Sequence, residues 1–234
     1  MSVALVGAGP GDPGLITVRG LELLRACDVV VHDRLVAPEL VAEAPEGALV
    51  VPRDGLDQEE LNRLLVELGG AGLEVVRLKG GDPFVYGRGG EEALALAEAG
   101  IPYEVVPGVS ALAAVPAAAG IPLTHRGVSS GVRVVSGRSA DGEPSGETLV
   151  LFMALNELAT VSERLLAEGL DPAMPAAVIS RGTYPDQEVV VADLAGIADA
   201  AAGLPGPALV VVGEVVGLRD LLQDTKLYLA QRFG

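Results

Sequence analysis

The chain is short of the residues that would cross-link it or carry it into a membrane. Of its 234 residues only Cys27 is a cysteine, so no disulfide can form within the chain and a reducing compartment is expected. Cys27 lies in a helical pattern, which favours a place in the core over a role as nucleophile. No apolar run reaches about 18 residues, which predicts no membrane span. With strand-like residues 2–6 directly after Met1 and no basic region before them, a cytoplasmic location is expected.

Basic and aromatic residues are also scarce. The formal charge is −16, from 16 basic and 32 acidic residues, and 14 of the basic residues are arginine. This acidic balance argues against general binding to nucleic acid or to an anionic membrane surface. Aromatic residues make up 3% and tryptophan is absent, so Val, Leu, Ala and Ile must form the core. A local arginine pocket for carboxylates or phosphates remains compatible with this composition.

The first half of the chain alternates short Val-rich runs with helical stretches, which predicts a mostly parallel sheet. Asp57 and Glu60 have the spacing of a capping box at the start of one of these helices. The predicted strands are Val3–Val6, Val29–His32, Leu49–Val51, Val75–Leu78 and Glu104–Val106, and the predicted helices are Ile16–Cys27, Glu39–Ala44, Glu59–Leu68 and Glu91–Ala99.

The second half begins after an Ala-rich helix at Ala111–Ala119, which ends at Gly120. Asn156 is the predicted N-cap of a helix that runs to Ala167. Further strands are predicted at Val132–Ser136, Leu149–Met153, Ala177–Ser180, Glu188–Ala192 and Leu209–Val212, and helices near Leu194–Ala202 and Val215–Leu222. The chain is therefore expected to form two α/β domains, residues 1–112 and 113–234.

Residues 75–92 contain the most informative loop of the chain. The stretch starts as an apolar strand, breaks at 80–83 (Gly-Gly-Asp-Pro), and resumes at Gly89 as a helix. Glu91 and Glu92 fall in the first turn of that helix, where carboxylates suit the helix dipole. Adjacent glycines let a ligand lie against bare backbone, and α/β proteins bind ligands at the carboxyl ends of strands. We therefore predict a ligand loop after this strand.

The first glycine-rich loop, at residues 7–14, is similar to a dinucleotide-binding turn but departs from it. The Gly-x-Gly-x-x-Gly pattern requires glycine at position 12, where the chain has Asp12. A carboxylate repels a pyrophosphate, and Pro10 removes one backbone donor that a phosphate would use. The loop is either a plain strand-to-helix turn or a site for a ligand without phosphate.

Several segments together resemble the tetrapyrrole methylase family. Their order and spacing match over essentially the whole chain, and the segments at 77–92 and 120–127 are specific to the C-methyltransferase branch. The resemblance implies two α/β domains with S-adenosylmethionine in the cleft between them, and a homodimer. The matching segments are residues 6–12 (VGAGPGD), 33–36 (DRLV), 58–62 (QEELN), 77–92, 106–110 (VPGVS), 120–127 (GIPLTHRG) and 207–213 (PALVVVG).

The resemblance also implies which residues contact S-adenosylmethionine. This cofactor, with S-adenosylhomocysteine as its product, has a sulfonium, an amino-acid end, a ribose and an adenine but no phosphate. Backbone amides and carbonyls, a carboxylate and soft apolar surfaces suit it, and Asp12 is then no obstacle. No metal site is expected. The implied cofactor contacts are Pro10, Gly80, Gly81, Asp82, Val85, Ser110, Ala111, Met153, Ala154, Gly182, Pro207 and Ala208.

The implied reaction is methylation of two ring carbons of a tetrapyrrole, uroporphyrinogen III, to give precorrin-2 for sirohaem or cobalamin synthesis. Asp33, at a strand end, matches the family's proposed proton-accepting aspartate; a helix cap or a salt bridge with Arg34 is the structural alternative. The substrate carries several carboxylates, which arginine can bind as a fork. Its predicted binding residues are Arg34, Arg53, His125, Arg126 and Arg138.

Two segments depart from the family pattern. Residues 51–57 are a shortened form of a stretch that carries the family's proposed proton-donating lysine, and Arg53 is the nearest basic residue here. Arginine holds its proton too tightly for efficient general-acid catalysis. Ser136-Gly137-Arg138 replaces a Thr-Gly-His. The alternatives are therefore a related methylase of a later corrinoid precursor, a catalytically silent S-adenosylmethionine-binding module, and a dinucleotide oxidoreductase.

Overall fold

The computed structural model describes residues 2–137 and 146–222. The chain divides into two compact units, Met1–Ala111 and Leu112–Gly234, and the described part of each contains a five-stranded sheet. Within the described residues, no helix is both long and apolar enough to cross a bilayer.

The first unit contains a wholly parallel sheet with the strand order β3-β2-β4-β1-β5. The mostly parallel sheet predicted from the sequence is confirmed in this unit. Its strands are β1 (Val3–Gly7), β2 (Val29–His32), β3 (Leu49–Pro52), β4 (Val75–Lys79) and β5 (Tyr103–Val106), and its helices are α1 (Val18–Leu24), α2 (Pro38–Val41), α3 (Gln58–Gly70) and α4 (Gly89–Glu98).

Helices cover both faces of this sheet. The side chains of β4 alternate between the two faces, so each face has apolar residues for a helix to pack against. Val76 belongs to the apolar cluster that includes Leu24 of α1, whereas Val75 packs with Leu65 of α3 and Leu96 of α4. The even spacing places residues 77 and 79 on the same face as Val75, toward α3 and α4. Two charged side chains, Arg77 and Lys79, occupy those positions and are fully buried.

Two local predictions for the first unit are confirmed. The Asp57 carboxylate accepts a hydrogen bond from the Glu60 amide at 2.9 Å, and the Glu60 carboxylate accepts one from the Asp57 amide at 2.8 Å. This capping box starts α3. Cys27 is buried in the core, and its thiol donates a hydrogen bond to the Leu24 carbonyl at 3.2 Å.

The second unit has the strand order β6-β7-β10-β8-β9, and only its β6–β7 pair is parallel. Because β10 runs against both β7 and β8, its first residues lie beside the carboxyl ends of those two strands. The strands are β6 (Val132–Ser136), β7 (Thr148–Phe152), β8 (Pro175–Ser180), β9 (Glu188–Asp193) and β10 (Ala208–Val212); the helices are α5 (Ala111–Ala118), which begins at the unit boundary, α6 (Leu158–Ala167) and α7 (Ile197–Ala200).

The helix starts predicted in the second unit are partly wrong. Asn156 is not an N-cap: it lies inside a 3₁₀ turn at Leu155–Glu157, and α6 begins at Leu158 without a side-chain cap. Because the 3₁₀ turn extends to Glu157, the residue directly before α6 is Glu157 and not Asn156. The helix predicted near 194–202 contracts to α7, and a second 3₁₀ turn at Glu214–Gly217 begins the last predicted helix.

Candidate functional site

Three strand ends of the first unit meet backbone to backbone through glycine. A Cβ atom on Gly7, at the end of β1, would lie 2.4 Å from the Cα of Gly108 after β5. Gly81, after β4, exchanges backbone hydrogen bonds of 2.7 and 3.2 Å with Gly9. Side chains at positions 7 and 108 would force the loops apart. The glycines therefore lock the loops after β1, β4 and β5 together at the carboxyl edge of the sheet.

Asp82 fastens two of these loops with its side chain. Its Oδ1 accepts a hydrogen bond from the Phe84 amide at 2.8 Å, and its Oδ2 accepts one from the Gly108 amide at 3.0 Å. Each carboxylate oxygen has a further lone pair for a ligand. Asp82 thus shapes the loop in which the sequence predicts a cofactor contact.

The predicted cofactor residues of the first unit lie on the same three loops. Gly80 and Gly81 leave open surface there: a Cβ atom on either would meet nothing closer than Leu35 Cβ at 3.7 Å or the Ala111 amide at 3.8 Å. Such bare backbone forms a cradle that side chains would fill. The residues at this edge are Pro10, Gly80, Gly81, Asp82, Val85, Ser110 and Ala111.

The predicted cofactor residues of the second unit also come together at one sheet edge. Ala208, which starts β10, pairs with Ser180 at the end of β8, and the Arg181 amide donates a hydrogen bond of 2.7 Å to the Pro207 carbonyl. Leu209 pairs with Phe152 at the end of β7. The residues gathered there are Met153, Ala154, Gly182, Pro207 and Ala208.

The backbone at this second edge is strained. Met153, Arg181 and Thr183 have φ angles of 55°, 47° and 72°, in the left-handed region that side chains disfavour. Strain of this kind concentrates at functional sites. Gly182 has a packing reason as well, since a Cβ atom there would lie 2.4 Å from Val115 Cγ1 of α5. The Met153 side chain is half exposed, which presents a soft apolar surface.

Asp33 follows β2, and Arg77 of the neighbouring strand β4 holds its carboxylate. Arg77 Nη2 donates a hydrogen bond to Asp33 Oδ1, and Nη1 donates to the carbonyls of Val31 at 3.4 Å and Leu78 at 3.1 Å. Arg53 Nη1 lies 4.0 Å from the same Asp33 oxygen. The Asp33 side chain is 22% exposed, whereas that of Arg77 is fully buried. Asp33 is therefore the accessible end of a buried charged group.

Two further buried charges complete this group. Glu92 Oε1, from α4, accepts hydrogen bonds from Arg77 Nε at 3.3 Å, from Arg77 Nη2 at 3.2 Å and from Lys79 Nζ at 2.7 Å. Burial lowers the pKa of Lys79, repulsion from Arg77 lowers it further, and Glu92 opposes both effects. Two cations and two carboxylates balance within a region that is otherwise apolar.

This network is not predicted by the sequence, and two of its residues have other partners than expected. The sequence predicts that Glu92 complements the helix dipole, but its carboxylate is buried against Arg77 and Lys79. Glu91 forms a surface ion pair with Arg88 at 2.5 Å. The alternative of an Asp33–Arg34 salt bridge is wrong, because the partner of Asp33 is Arg77. One signal was present: charged residues at alternate positions of an otherwise apolar strand.

The predicted substrate residues are divided between the units. In the first unit, Arg53 lies beside Asp33, and Arg34, which follows Asp33 in the chain, is exposed. His125 and Arg126 are exposed in the second unit, in a turn where the His125 amide donates to the Ser129 carbonyl at 3.0 Å. Arg138 lies outside the described residues.

Comparisons with known proteins agree on one family. The model of the tetrapyrrole (corrin/porphyrin) methylases matches residues 2–198. A siroheme synthase of Hahella chejuensis is 45% identical over 238 residues, which is 94% of this chain but 51% of that protein. The chain thus spans about half the length of the curated relatives it matches.

Two solved structures are similar over nearly their whole length. The crystal structure of uroporphyrin-III C-methyltransferase from Thermus thermophilus has 45% identity and a TM-score of 0.85, and covers 94% of this chain and 95% of that one. A structure of the Thermus thermophilus enzyme complexed with S-adenosyl homocysteine has 42% identity and a TM-score of 0.80, with coverage of 92% and 93%.

Proposed function

The chain belongs to the tetrapyrrole methylase family, and we propose that it methylates uroporphyrinogen III with S-adenosylmethionine. Two ring carbons receive a methyl group in turn, and the product is precorrin-2, a precursor for sirohaem or cobalamin. The observation that carries this proposal is the 45% identity to the Thermus thermophilus uroporphyrin-III C-methyltransferase over nearly the whole of both chains. The proposal concerns methyl transfer alone, since the chain spans half of the siroheme synthases it matches.

We assign cofactor binding to the two sheet edges described above. The open surface at Gly80–Gly81 supports this, because a Cβ atom on either glycine would meet nothing closer than 3.7 Å, which leaves room for a ligand against the backbone. Met153 offers a polarisable surface, which suits a sulfonium or thioether. When bound, S-adenosylmethionine supplies an electrophilic methyl group, whose bond to sulfur breaks with the electron pair left on sulfur.

The protein's part in the chemistry is to position the ring carbon, exclude water and accept a proton. A pyrrole becomes cationic when one of its carbons gains a methyl group, and loss of a proton restores neutrality. The Asp33 carboxylate is the assigned acceptor: it lies at a strand end, is partly exposed, and is held by the Arg77 guanidinium.

Arg53 is assigned to substrate binding rather than to proton donation. Its guanidinium is part-buried, 4.0 Å from Asp33, and donates a hydrogen bond of 3.5 Å to Gln58. An arginine beside the proton acceptor can bind a substrate carboxylate and so place the ring against Asp33. The proposal therefore needs no replacement for the family's lysine at this position.

Two measurements test the proposal. Calorimetric titration with S-adenosylhomocysteine, and with NAD⁺ as the control ligand, should show binding of the first only. Incubation with S-adenosylmethionine and uroporphyrinogen III should give products heavier by one and then two methyl groups. Cofactor binding without any mass gain would favour a silent binding module or a methylase of a later precursor, and binding of NAD⁺ would revive the oxidoreductase alternative.

The family resemblance also motivates a homodimer as part of the proposal. Light scattering coupled to size exclusion should give twice the chain mass of 23.8 kDa. A monomer at the concentration of the activity assay would contradict it.

A further inference from the structure

We propose that Arg77, Glu92 and Lys79 form a buried network whose task is to hold the carboxylate of Asp33, and that Arg77 is the positioning residue of methyl transfer. The inference rests on the proposed function, in which Asp33 accepts the substrate proton. It assigns a role to three charged residues that belong to neither the predicted cofactor contacts nor the predicted substrate residues.

Stability alone does not account for this network. Removing charges from water is costly, and well-packed apolar side chains in place of a buried ion pair often stabilise a protein as well or better. Arg77, Lys79 and Glu92 are fully buried among the leucines and valines of β4, α3 and α4. Buried ion pairs at such a cost are most useful where they fix a geometry that an apolar core cannot.

The bonds of Arg77 fix its guanidinium completely. Nε and Nη2 donate to Glu92, Nη1 donates to two backbone carbonyls of the sheet, and Nη2 also donates to Asp33. Lys79 Nζ donates to the same Glu92 oxygen, Oε1, at 2.7 Å. The planar fork of arginine makes these bonds at once, which a lysine ammonium cannot do from the same position. The side chain that holds Asp33 is thus itself held by Glu92 and by the backbone of the sheet.

The two oxygens of the Asp33 carboxylate have different surroundings. Arg77 and Arg53 both approach Oδ1, while Oδ2 accepts no hydrogen bond from any residue that the structure describes. One oxygen is therefore anchored and the other is available in a side chain that is 22% exposed. Oδ2 is the atom that we assign to the proton of the substrate.

A double-mutant cycle tests whether Arg77 acts through Asp33. Arg77→Gln should lower kcat by roughly ten- to a hundredfold with little change in KM for S-adenosylmethionine. In an Asp33→Asn background the same change should lower kcat less than about threefold, since the group it positions is already gone. Equal losses in both backgrounds would overturn the proposal. Arg25→Gln, which breaks the exposed Arg25–Glu43 pair, is the matched control and should leave kcat unchanged.

Two more variants guard against misfolding of Arg77→Gln. Arg77→Lys keeps the buried charge but not the fork, and should still lose most of the kcat. Glu92→Gln keeps the shape of the network but weakens its hold on Arg77. In the Asp33→Asn background it too should lower kcat only slightly. Calorimetric affinity for S-adenosylhomocysteine should match that of the parent chain in every variant, which shows that the fold and cofactor site persist.

The double-mutant cycle still tests the pairing of Arg77 with Asp33 if the proposed function is wrong. A parent chain that methylates no uroporphyrinogen III would refute the function but leave the pairing open. The cycle is then scored by the midpoint of thermal unfolding, where Arg77→Gln should lower the midpoint less in the Asp33→Asn background than in the parent. Equal shifts would show that Arg77 does not hold Asp33.

Discussion

A Cβ atom on Gly108 would lie 2.2 Å from the carbonyl oxygen of Gly81, although the two residues follow different strands. No side chain can occupy that space, so the close approach of the loops after β4 and β5 depends on glycine at position 108. The Asp82 carboxylate spans the same junction through the Gly108 amide. The edge that carries the predicted cofactor loop is therefore built from backbone contacts.

Gly108→Ala should destabilise the protein by about 3 kcal/mol, because the methyl group collides with backbone atoms that cannot rotate away. Urea unfolding measures the change. Gly90→Ala is the matched control: a Cβ atom there meets nothing within 4 Å, and the residue lies in α4, so stability should stay the same or rise by ~0.5 kcal/mol. A Gly108→Ala variant as stable as its parent would contradict the geometry of the junction.

Asp82→Ala should weaken binding of S-adenosylhomocysteine roughly tenfold or more, because the amides of Phe84 and Gly108 lose their acceptor and the cofactor loop loosens. Calorimetry measures the affinity. Asp171→Ala is the control, since Asp171 makes a similar turn bond with the Ala173 amide in the second unit, and it should bind the ligand normally. An unaltered dissociation constant for Asp82→Ala would refute the role of Asp82.

Asp33→Asn should slow methyl transfer by roughly a hundredfold or more while leaving the affinity for S-adenosylhomocysteine unchanged, because the amide cannot accept the proton but keeps the shape of the side chain. Single-turnover rates with uroporphyrinogen III measure the effect. Unchanged turnover would remove Asp33 from the proton path.

Cys27 should make stability fall at alkaline pH. Burial raises the pKa of its thiol from 9.0 to about 11. Between these values the unfolded chain loses the thiol proton while the folded chain keeps it, so this contribution is present below pH 9 and is lost as pH rises toward about 11. A shift of two pKa units sets its upper limit at about 3 kcal/mol. The stability gap between the parent and Cys27→Ala, measured by urea unfolding, should narrow over that window; a constant gap would contradict the burial of the thiol.

The parallel half of the fold could be predicted from the sequence because its signals are local. Val-rich runs such as Val29–His32 are buried on both sides, and the Asp57–Glu60 capping box depends on residues three positions apart. Less of the second sheet could be predicted, because the directions of β8, β9 and β10 depend on pairing between residues that are distant in the sequence. The prediction of Asn156 as an N-cap was wrong because Asn156 lies within a 3₁₀ turn.

The candidate site shows a similar division. Gly80, Gly81 and Asp82 could be predicted as a ligand loop because two adjacent glycines and an acid follow a strand and match the family's pattern. The network behind Asp33 is not, because Arg77 and Asp33 are 44 positions apart and Glu92 looks like an ordinary helix-start carboxylate. Only the alternation of Arg77 and Lys79 in an apolar strand indicated that charges were buried there.

Carbon methylation of uroporphyrinogen III is the central claim, and carbon NMR of the product tests it most directly. The chain is incubated with uroporphyrinogen III and S-adenosylmethionine labelled with ¹³C in its methyl group. The account predicts two labelled methyl resonances at shifts typical of methyl groups on saturated ring carbon. Labelled methyl groups on oxygen or nitrogen, or no labelled product from a chain that binds S-adenosylhomocysteine, would contradict it.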